Sequence, residues 1–289
     1  MTQRPVPSAR DDGEFFDEIA GVYDSMRPPY PDKLVDRACQ VAGLSPRAHV
    51  LEIGCGTGQL TRSLLARGLS VTAVEPGKNL MALARKNLEG AGAVEFINAR
   101  FEDVPLIQGH FPAVFSASAL HWVDPKVSWR KIADVLAPGG TLALLSYFGL
   151  EEQRCKDDQD MMLAAVSRVA PEAAATFPYR DLDATLAGAE QRRDNVSAVW
   201  AWLGSHDVEE DYASDLFDNV QVAVVPLLLE HTAGEMSAIL RTTPWYPRLG
   251  PAQRQALERE NEAICERLGR PIRSGTVATL VTARAMAPA

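Results

Sequence analysis

The sequence lacks the features of a membrane protein and of a nucleic-acid-binding protein. No apolar run approaches the roughly 20 residues that a membrane-spanning helix needs, and the N-terminal MTQRPVPSARDDGEFF has no apolar stretch typical of a secretory signal. Lys and Arg are outnumbered by Asp and Glu, 29 against 38, and form no cluster that could attract a phosphate backbone. We therefore expect a cytoplasmic protein that binds neither a membrane nor nucleic acid.

Cysteine is scarce and dispersed, which argues against two kinds of site. The four thiols, Cys39, Cys55, Cys155 and Cys265, form no CxxC pair and have no metal-like spacing with histidine. We expect four reduced, mostly buried thiols and no metal site, in keeping with a cytosolic protein.

What the sequence does have is a regular alternation of short apolar runs and helical patterns. Its 289 residues, 46% of them hydrophobic, suffice for one core with a smaller cap. Alternating strands and helices imply parallel strands joined by right-handed crossovers, and apolar strands imply a sheet covered on both faces. The predicted strands are 50–53, 70–74, 94–98, 113–116, 141–146, 220–229 and 274–285.

These patterns divide the chain into four parts. We interpret residues 1–14 as a flexible polar tail, 15–148 as an α/β core built on a doubly wound sheet, 149–212 as a helical cap or substrate lid, and 213–289 as strands and helices that complete the core. The third part loses the strand–helix alternation and is rich in alanine and charged residues. Ligands of such sheets bind beyond the carboxyl ends of the strands.

Three glycines at alternate positions, Gly54, Gly56 and Gly58, follow the first strand directly. Glycine adopts positive φ angles and lets a ligand lie against bare backbone. Glu75 ends the second strand, where a carboxylate can accept both hydroxyls of an adenosine ribose. One alternative is a glycine turn that only packs strand against helix. A dinucleotide-dependent reductase is another, but its G-x-G-x-x-G motif requires glycine at the position of Gln59.

Several motifs occur together and in order: LEIGCGTG, with Glu52 ahead of the glycines, then VEP, ARFEDVP, a strand that ends in LHW, and LAPGG. Between His49 and Ser146 they resemble the class I S-adenosylmethionine-dependent methyltransferases. The resemblance implies a seven-stranded Rossmann-like sheet with an antiparallel last strand and a helical cap inserted after the fifth strand. It also implies S-adenosylmethionine as the cofactor and S-adenosylhomocysteine as the product.

The same resemblance implies which residues hold the cofactor. Glu52 and the backbone of residues 54–58 would face its amino-acid end, Glu75 would hold the ribose hydroxyls, and Phe101 and Glu102 would border the adenine. The implied cofactor-binding residues are Tyr23, Arg27, Glu52, Gly54, Cys55, Gly56, Gly58, Glu75, Pro76, Leu80, Phe101, Glu102, Ser116 and Ala117, the last two beside the sulfonium.

The segment FFDEIAGVYDSMRPPYP precedes the sheet. Four of its side chains fall on one helical face: Phe16, Ile19, Ala20 and Tyr23. One interpretation is a helix that packs this face on the sheet. In relatives with a similar Tyr, Arg and RPPYP pattern, the segment covers the cofactor. The resemblance thus implies that Tyr23 and Arg27 lie near the cofactor's carboxylate and that Tyr30 contacts the substrate. Arg27 can pair with a carboxylate of either ligand.

His121 and Trp122 follow the fourth strand in the LHW motif. Methyltransferases of trans-aconitate, juvenile hormone acid and salicylic acid carry a tryptophan here, and in some of them its indole N–H holds the acceptor carboxylate. This resemblance implies that Trp122 binds the acceptor and takes part in catalysis. His121 is the histidine placed to remove a proton from a phenol or alcohol. The alternative is a structural histidine beside a buried tryptophan.

The C-terminal part resembles the same branch in outline. LRTTPWYPRLG is similar to a segment of bacterial and fungal relatives of the trans-aconitate enzyme, although TPWY replaces their Tyr-Ser element. Trp200 and Trp245 offer aromatic surface that can enclose an apolar acceptor as substrate-binding residues. The alternative is that they form the core of the cap.

Together these features predict a methyltransferase that moves a methyl group from S-adenosylmethionine to a small-molecule acceptor, with an oxygen acceptor, carboxylate or hydroxyl, favoured. We expect a monomer or homodimer. The alternative function is a protein that binds S-adenosylmethionine without transferring the methyl group, for a cyclisation or a regulatory contact.

Overall fold

The computed structural model describes residues 15–174, 179–204, 210–243 and 245–287. The predicted flexible tail, residues 1–14, lies outside this part of the chain. Each predicted strand is present, and most of them are longer than the apolar run that indicated them, the fifth and sixth by several residues. The strands are β1 His49–Ile53, β2 Ser70–Val74, β3 Val94–Ile97, β4 Phe111–Ala117, β5 Leu136–Gly149, β6 Phe217–His231 and β7 Ile272–Ala285.

The helix boundaries follow the capping residues in the sequence. Asp124 caps α5 through the N–H of Lys126, Thr232 and Glu235 cap α10 reciprocally, and Gly269 ends α11 at a φ of +64°. None of the helices in the described ranges is long and apolar enough to cross a membrane. The helices are α1 Ala20–Met26, α2 Asp32–Val41, α3 Gln59–Ala66, α4 Lys78–Asn87, α5 Pro125–Val135, α6 Lys156–Val169, α7 Pro171–Ala174, α8 Leu182–Glu190, α9 Val196–Gly204, α10 Ala233–Arg241 and α11 Pro251–Leu268.

The strands form one sheet in the order β3-β2-β1-β4-β5-β7-β6. β1 to β5 are parallel, and β7 runs antiparallel to both β5 and β6. This confirms the predicted doubly wound seven-stranded sheet with an antiparallel last strand. Ile53 in β1 lies beside Val74 in β2 and Ser116 in β4, so the carboxyl ends of these three strands meet at one edge.

The segment Pro138-Gly139-Gly140 lies within the fifth strand, which begins five residues before the predicted strand 141–146. β5 begins at Leu136, where α5 ends, and residues 137–140 bulge out between two pairs that β5 forms with β4. Gly139 adopts a φ of +70°, which a bulge of this kind favours. The bulge lets the chain pass from helix to strand without a separate loop.

Three hydrophobic clusters hold the layers together. One face of the sheet packs against α2, α3 and α4, and the other face packs against α5, α8 and α9. The third cluster lies between α6, α7, α10 and α11 and includes Ile272 at the start of β7. Helices of the segment 149–212 therefore contribute to two clusters. Its interpretation as one cap, like the other domain boundaries, stays a prediction.

Asp158 on α6 links the helical layer to the start of β7. Its carboxylate, 1% exposed, accepts hydrogen bonds from the two terminal nitrogens of Arg270 at 2.7 and 2.8 Å and from the backbone N–H of Arg273 at 2.6 Å. Burial acts to raise the pKa of Asp158, but these hydrogen bonds outweigh it and lower the pKa below its ordinary value. The group therefore stays charged to lower pH in the folded chain than in the unfolded chain.

We predict that Asp158→Asn destabilises the protein at neutral pH by about 2 kcal/mol, because hydrogen bonds to a charged group are lost. An acid with a lowered folded pKa stabilises above its unfolded pKa, about 3.9, and loses that contribution as the pH falls through the folded value. The difference between wild type and variant in urea unfolding should therefore shrink below about pH 4. Asp160→Asn, at an exposed position on α6, is the control. Equal effects of both variants would contradict the prediction.

Candidate active site

The carboxyl ends of β1, β2 and β4 open into a cleft with a volume of about 800 Å³. A smaller pocket adjoins it, and the two cavities share the backbone of Gly54 and Gly56. The volume falls in the range of small-molecule sites. The position agrees with the general location of ligands in open α/β sheets.

The three glycines of the motif have different environments. Their φ angles are +70° at Gly54, +56° at Gly56 and +87° at Gly58. A Cβ on Gly54 would lie 2.3 Å from the Cβ of Ala119, and one on Gly58 would lie 2.7 Å from Cδ1 of Leu88. A Cβ on Gly56 would have no neighbour closer than 4.0 Å. Gly54 and Gly58 thus permit internal packing, whereas Gly56 leaves bare backbone exposed to the cleft.

Glu75, at the end of β2, joins the two loops that face the cleft. Its Oε2 accepts a hydrogen bond from the N–H of Gly56 at 3.0 Å, and its Oε1 accepts one from the N–H of Gly77 at 2.8 Å. Burial raises the pKa of Glu75, and the two N–H groups oppose that shift by favouring the charged form. Each carboxylate oxygen keeps a further lone pair, so the group can also accept hydroxyl hydrogens from a ligand.

Asn98 supports the acidic loop from the other side and was missed by sequence reasoning. Its side-chain amide donates to the carbonyls of Glu75 and Pro76 at 2.8 and 3.1 Å. The predicted Pro76 and Leu80 both line the cleft beside it. The signal that could have identified Asn98 is its position at the end of the predicted strand 94–98, where an asparagine side chain can bond to neighbouring backbone.

Glu52 lies in the floor of the smaller pocket, together with the predicted Cys55. Its carboxylate is buried, and Oε2 accepts a hydrogen bond from the hydroxyl of Thr61 at 2.6 Å. Burial raises the pKa of Glu52 to about 7, with the hydrogen bond from Thr61 opposing the shift. Near neutral pH the group can therefore hold or release a proton.

The segment after β3 forms another wall of the cleft, which the predicted Phe101 and Glu102 line. Lys131 on α5 fixes this segment, because its ammonium donates to the carbonyls of Phe101, Glu102 and Val104 at 2.6, 3.0 and 2.7 Å. Arg100 donates to the carboxylate of Glu102 at 3.3 Å. Sequence reasoning missed Lys131, since nothing in the helical pattern of α5 distinguishes it from a solvated lysine.

The N-terminal segment contributes to both cavities. Tyr23 and Arg27 line the cleft and the pocket, and Tyr30 lines the pocket. The guanidinium of Arg27 lies 5.4 Å from the ring centroid of Tyr23 and donates to the carbonyl of Thr242 at 3.1 Å. Its Nε is buried without a hydrogen-bond partner among the described residues. Arg27 therefore retains a donor for a ligand.

Beyond β4 the chain turns into the cleft at a strained residue. Ala117 lines the cleft, whereas the predicted Ser116 is fully buried and its hydroxyl donates to the carbonyl of Ile53 at 3.0 Å. Ser118 adopts a φ of +51°, lines both cavities, and places its hydroxyl 2.8 Å from the phenol oxygen of Tyr30. A serine at positive φ is uncommon, and such strain concentrates at functional sites. No sequence pattern indicates it.

The LHW motif forms a short 3₁₀ turn, Leu120–Trp122, on the wall of the cleft. His121 and Trp122 both line the cleft, with ring centroids 4.5 Å apart. Trp122 also lies 5.6 Å from Phe16 of the N-terminal segment. The structure thus brings both predicted catalytic residues to the cleft that holds Gly56 and Glu75.

Two predicted substrate residues lie elsewhere, and their expected position is corrected. Trp200 is 3% exposed and belongs to the cluster between the sheet and α9. Trp245 packs against the cluster of α6, α7, α10 and α11. Neither tryptophan lines the cleft, because Trp200 is buried in one hydrophobic cluster and the half-buried Trp245 packs against another. In the described part of the chain, no group of three or more His, Cys, Asp or Glu could hold a metal ion.

Part of the chain is similar in sequence to known methyltransferases. Residues 51–144 match the family model of a methyltransferase domain. An uncharacterized methyltransferase of Mycobacterium tuberculosis is 37% identical over 138 residues, which are 48% of this chain and 54% of that protein. A ubiquinone biosynthesis O-methyltransferase of Xanthomonas campestris is 38% identical over 102 residues, 34% of this chain and 43% of that protein. The chain thus spans about half the length, or less, of these curated relatives.

The fold also matches a solved methyltransferase structure. Phosphoethanolamine N-methyltransferase 2 of Haemonchus contortus, in complex with S-adenosylhomocysteine, aligns with a TM-score of 0.51 and 14% identity over 99% of this chain and 62% of that one. These matches support a methyltransferase domain at residues 51–144 and a fold shared with a solved methyltransferase. Gly56, open to the cleft, and Glu75, whose oxygens can accept further hydrogen bonds, fit the predicted cofactor, S-adenosylmethionine.

We predict that Gly56→Ala weakens the binding of S-adenosylhomocysteine at least about tenfold, because a methyl group would occupy cofactor space; the strain of an alanine at positive φ, about 1–2 kcal/mol, lowers the stability of this variant and of Gly58→Ala alike. Gly58→Ala is the matched comparison, since its Cβ would meet Leu88 inside the protein. We expect it to lower the melting temperature with little effect on the affinity of the folded protein. Calorimetric titration and thermal unfolding measure the two effects, and wild-type affinity in Gly56→Ala would contradict the assignment.

A second prediction concerns pH. The pKa of Glu52 is about 7 in the folded protein and about 4.3 in an unfolded chain. The folded state therefore binds more protons between these values, and its stability falls as the pH rises through 7. Glu52→Gln should remove a loss on the order of 3 kcal/mol between about pH 5 and pH 8. Urea unfolding at both pH values tests this, with the exposed Glu89→Gln as control. A parallel pH dependence in wild type and Glu52→Gln would contradict it.

Proposed function

We propose that this chain, which carries a class I S-adenosylmethionine-dependent methyltransferase domain, transfers the methyl group of S-adenosylmethionine to an oxygen of a small-molecule acceptor. The observation that carries the proposal is that one cleft holds both the bare backbone of Gly56 beside Glu75 and the side chains of His121 and Trp122. The first pair suits the cofactor and the second pair suits an acceptor. The acidic balance of the chain favours a metabolite over nucleic acid, and we expect a cytoplasmic monomer or homodimer.

In this proposal the protein works by binding and orientation. When bound, S-adenosylmethionine supplies a methyl group that its sulfonium already activates. Glu75 accepts the ribose hydroxyls, the backbone of residues 54–58 faces the amino-acid end, and Phe101 and Glu102 border the adenine. Because these groups are fixed by Asn98 and Lys131 before the ligand arrives, little order has to be gained on binding. Alignment of this kind accounts for about 7–11 kcal/mol of the barrier in well-oriented systems.

Arg27, which lines both cavities, and Tyr30, which lines the smaller pocket, have complementary roles. Arg27 has a donor available for a carboxylate, either that of the cofactor or that of the acceptor. The ring of Tyr30 stacks on that of Tyr147 at 4.8 Å, and burial raises the pKa of Tyr30, so it remains a neutral phenol. With Ser118 at 2.8 Å, Tyr30 offers a hydroxyl pair to an acceptor oxygen.

The part of the cleft lined by His121 and Trp122 favours a carboxylate as the acceptor, as in the trans-aconitate and juvenile hormone acid methyltransferases. Trp122 presents one N–H donor and a flat apolar wall, next to Phe16 and His121. A carboxylate acceptor needs no base, whereas a phenol or alcohol needs a proton removed, for which His121 is the available group. The matched ubiquinone biosynthesis enzyme is an O-methyltransferase by name, which supports an oxygen acceptor. Helices of residues 149–212 would close the site, since Gly204 lines the cleft.

The proposal is tested with methyl-labelled S-adenosylmethionine and a panel of carboxylic acids, phenols and alcohols. We expect label in a small-molecule product. For a carboxylate acceptor, Trp122→Phe should lower kcat/KM about 10- to 100-fold, the worth of one hydrogen bond to a charged group. For a phenol, His121→Gln should lower it about 100-fold or more. Both variants should bind S-adenosylhomocysteine within about threefold of wild type, since neither residue is assigned to the cofactor.

Two outcomes would contradict the proposal. Binding of S-adenosylhomocysteine without label in any product would favour a protein that binds the cofactor without methyl transfer. A rise in melting temperature with NAD, but not with S-adenosylhomocysteine, would instead favour a dinucleotide-dependent enzyme.

A further inference from the structure

Helix α4 begins beside the acidic loop but has no local cap. Its N-cap residue, Gly77, has no side chain that could accept a hydrogen bond. The orphan N–H groups of Asn79 and Leu80 donate instead to Oδ1 of Asp17, at 2.7 and 2.9 Å. The side-chain amide of Asn79 donates back to the carbonyl of Asp17 at 3.2 Å. A residue more than sixty positions earlier in the chain thus supplies the cap that this helix needs.

The N-terminal segment is also fastened at the far end of α4. The carboxylate of Asp24 accepts a hydrogen bond from the side chain of Asn87, the last residue of α4, at 3.0 Å. Residues 15–27, which we call the roof segment, therefore follow α4 from its first turn to its last. On the other side this segment presents Phe16, Tyr23 and Arg27 to the cleft.

Asp17 lies directly at the end of the cleft where Glu75 is found. A Cβ placed on Gly77 would be 2.7 Å from Oδ1 of Asp17 and 3.0 Å from Oε1 of Glu75. The two carboxylates therefore flank the same short piece of backbone, and both residues line the cleft. The attachment of the roof segment is thus next to the proposed ribose site.

We propose that Asp17 is a positioning residue that latches the roof segment to the cofactor-binding loop and so sets how fast the cofactor leaves. This inference rests on the proposed function, since it assumes that the cleft holds S-adenosylmethionine. Because the roof segment forms part of the cleft wall, a ligand beneath it leaves when the segment separates from α4. The two hydrogen bonds at Asp17 resist that separation at the start of α4, next to Glu75 and the proposed ribose site. The hydrogen bond at Asp24 resists it at the end of α4, which is remote from Glu75.

The test uses S-adenosylhomocysteine, stopped-flow release and calorimetric titration on the full chain. Asp17→Ala removes the cap and should speed release about tenfold, with a smaller change in the association rate. Asp17→Asn keeps an oxygen acceptor, and asparagine caps helices about as well as aspartate, so release should stay within about threefold of wild type. Asp24→Ala is the matched control on the same segment, and it should change release less than about threefold. Hydrogen exchange of the Asn79 and Leu80 amides should increase in Asp17→Ala without any ligand.

The outcomes separate the latch from the proposed function. Wild-type release rates in Asp17→Ala, with tight binding retained, would overturn the latch and leave the methyltransferase proposal intact. Equal acceleration by Asp17→Ala and Asp24→Ala would show general loosening of the segment and would also overturn it. A wild-type protein that takes up no S-adenosylhomocysteine would overturn both proposals together.

Discussion

The carboxylate of Glu75 is the interaction on which the rest of the site depends. It accepts one N–H from the loop after β1 and another from the loop after β2, so the two walls of the cleft share a single charged group. Burying that charge is costly unless it is hydrogen-bonded, and the two backbone donors meet this need before any ligand is present. A ligand that offers hydroxyl hydrogens therefore finds an acceptor already held in place.

The surrounding walls come from parts of the chain that are far apart in sequence. Arg27 is oriented by the carbonyl of Thr242, and the segment of Phe101 is fixed by Lys131. In each case a long charged side chain donates a hydrogen bond to a backbone carbonyl of a distant segment. These bonds fix segments that lie between the longer helices and strands. The cleft thus combines irregular backbone with fixed geometry, which is what the proposed orientation of a cofactor and an acceptor would require.

The sequence was sufficient for the sheet and for many of the residues that line the cleft, because both follow from local patterns. Strand-sized apolar runs, the cap at Asp124 and the αL end at Gly269 depend on neighbours in the chain. What could not be predicted depends on tertiary contact or on strain. The positive φ of Ser118 has no compositional signal. The burial of Trp200 and Trp245 was not resolved by their spacing, since an aromatic side chain suits a core as well as a pocket.

Gly54 of the glycine motif packs against Ala119, a residue of the loop that follows β4. The room that a Cβ would need there is taken by the Cβ of Ala119, only 2.3 Å from where it would lie. Ala119 also lines the cleft, so a bulkier side chain at this position would reduce the space beside the glycine loop. The small size of Ala119 and the bareness of Gly54 are therefore one shared constraint across two loops. Over evolutionary time the two positions should covary, and a graft of the loop into another scaffold would have to carry both.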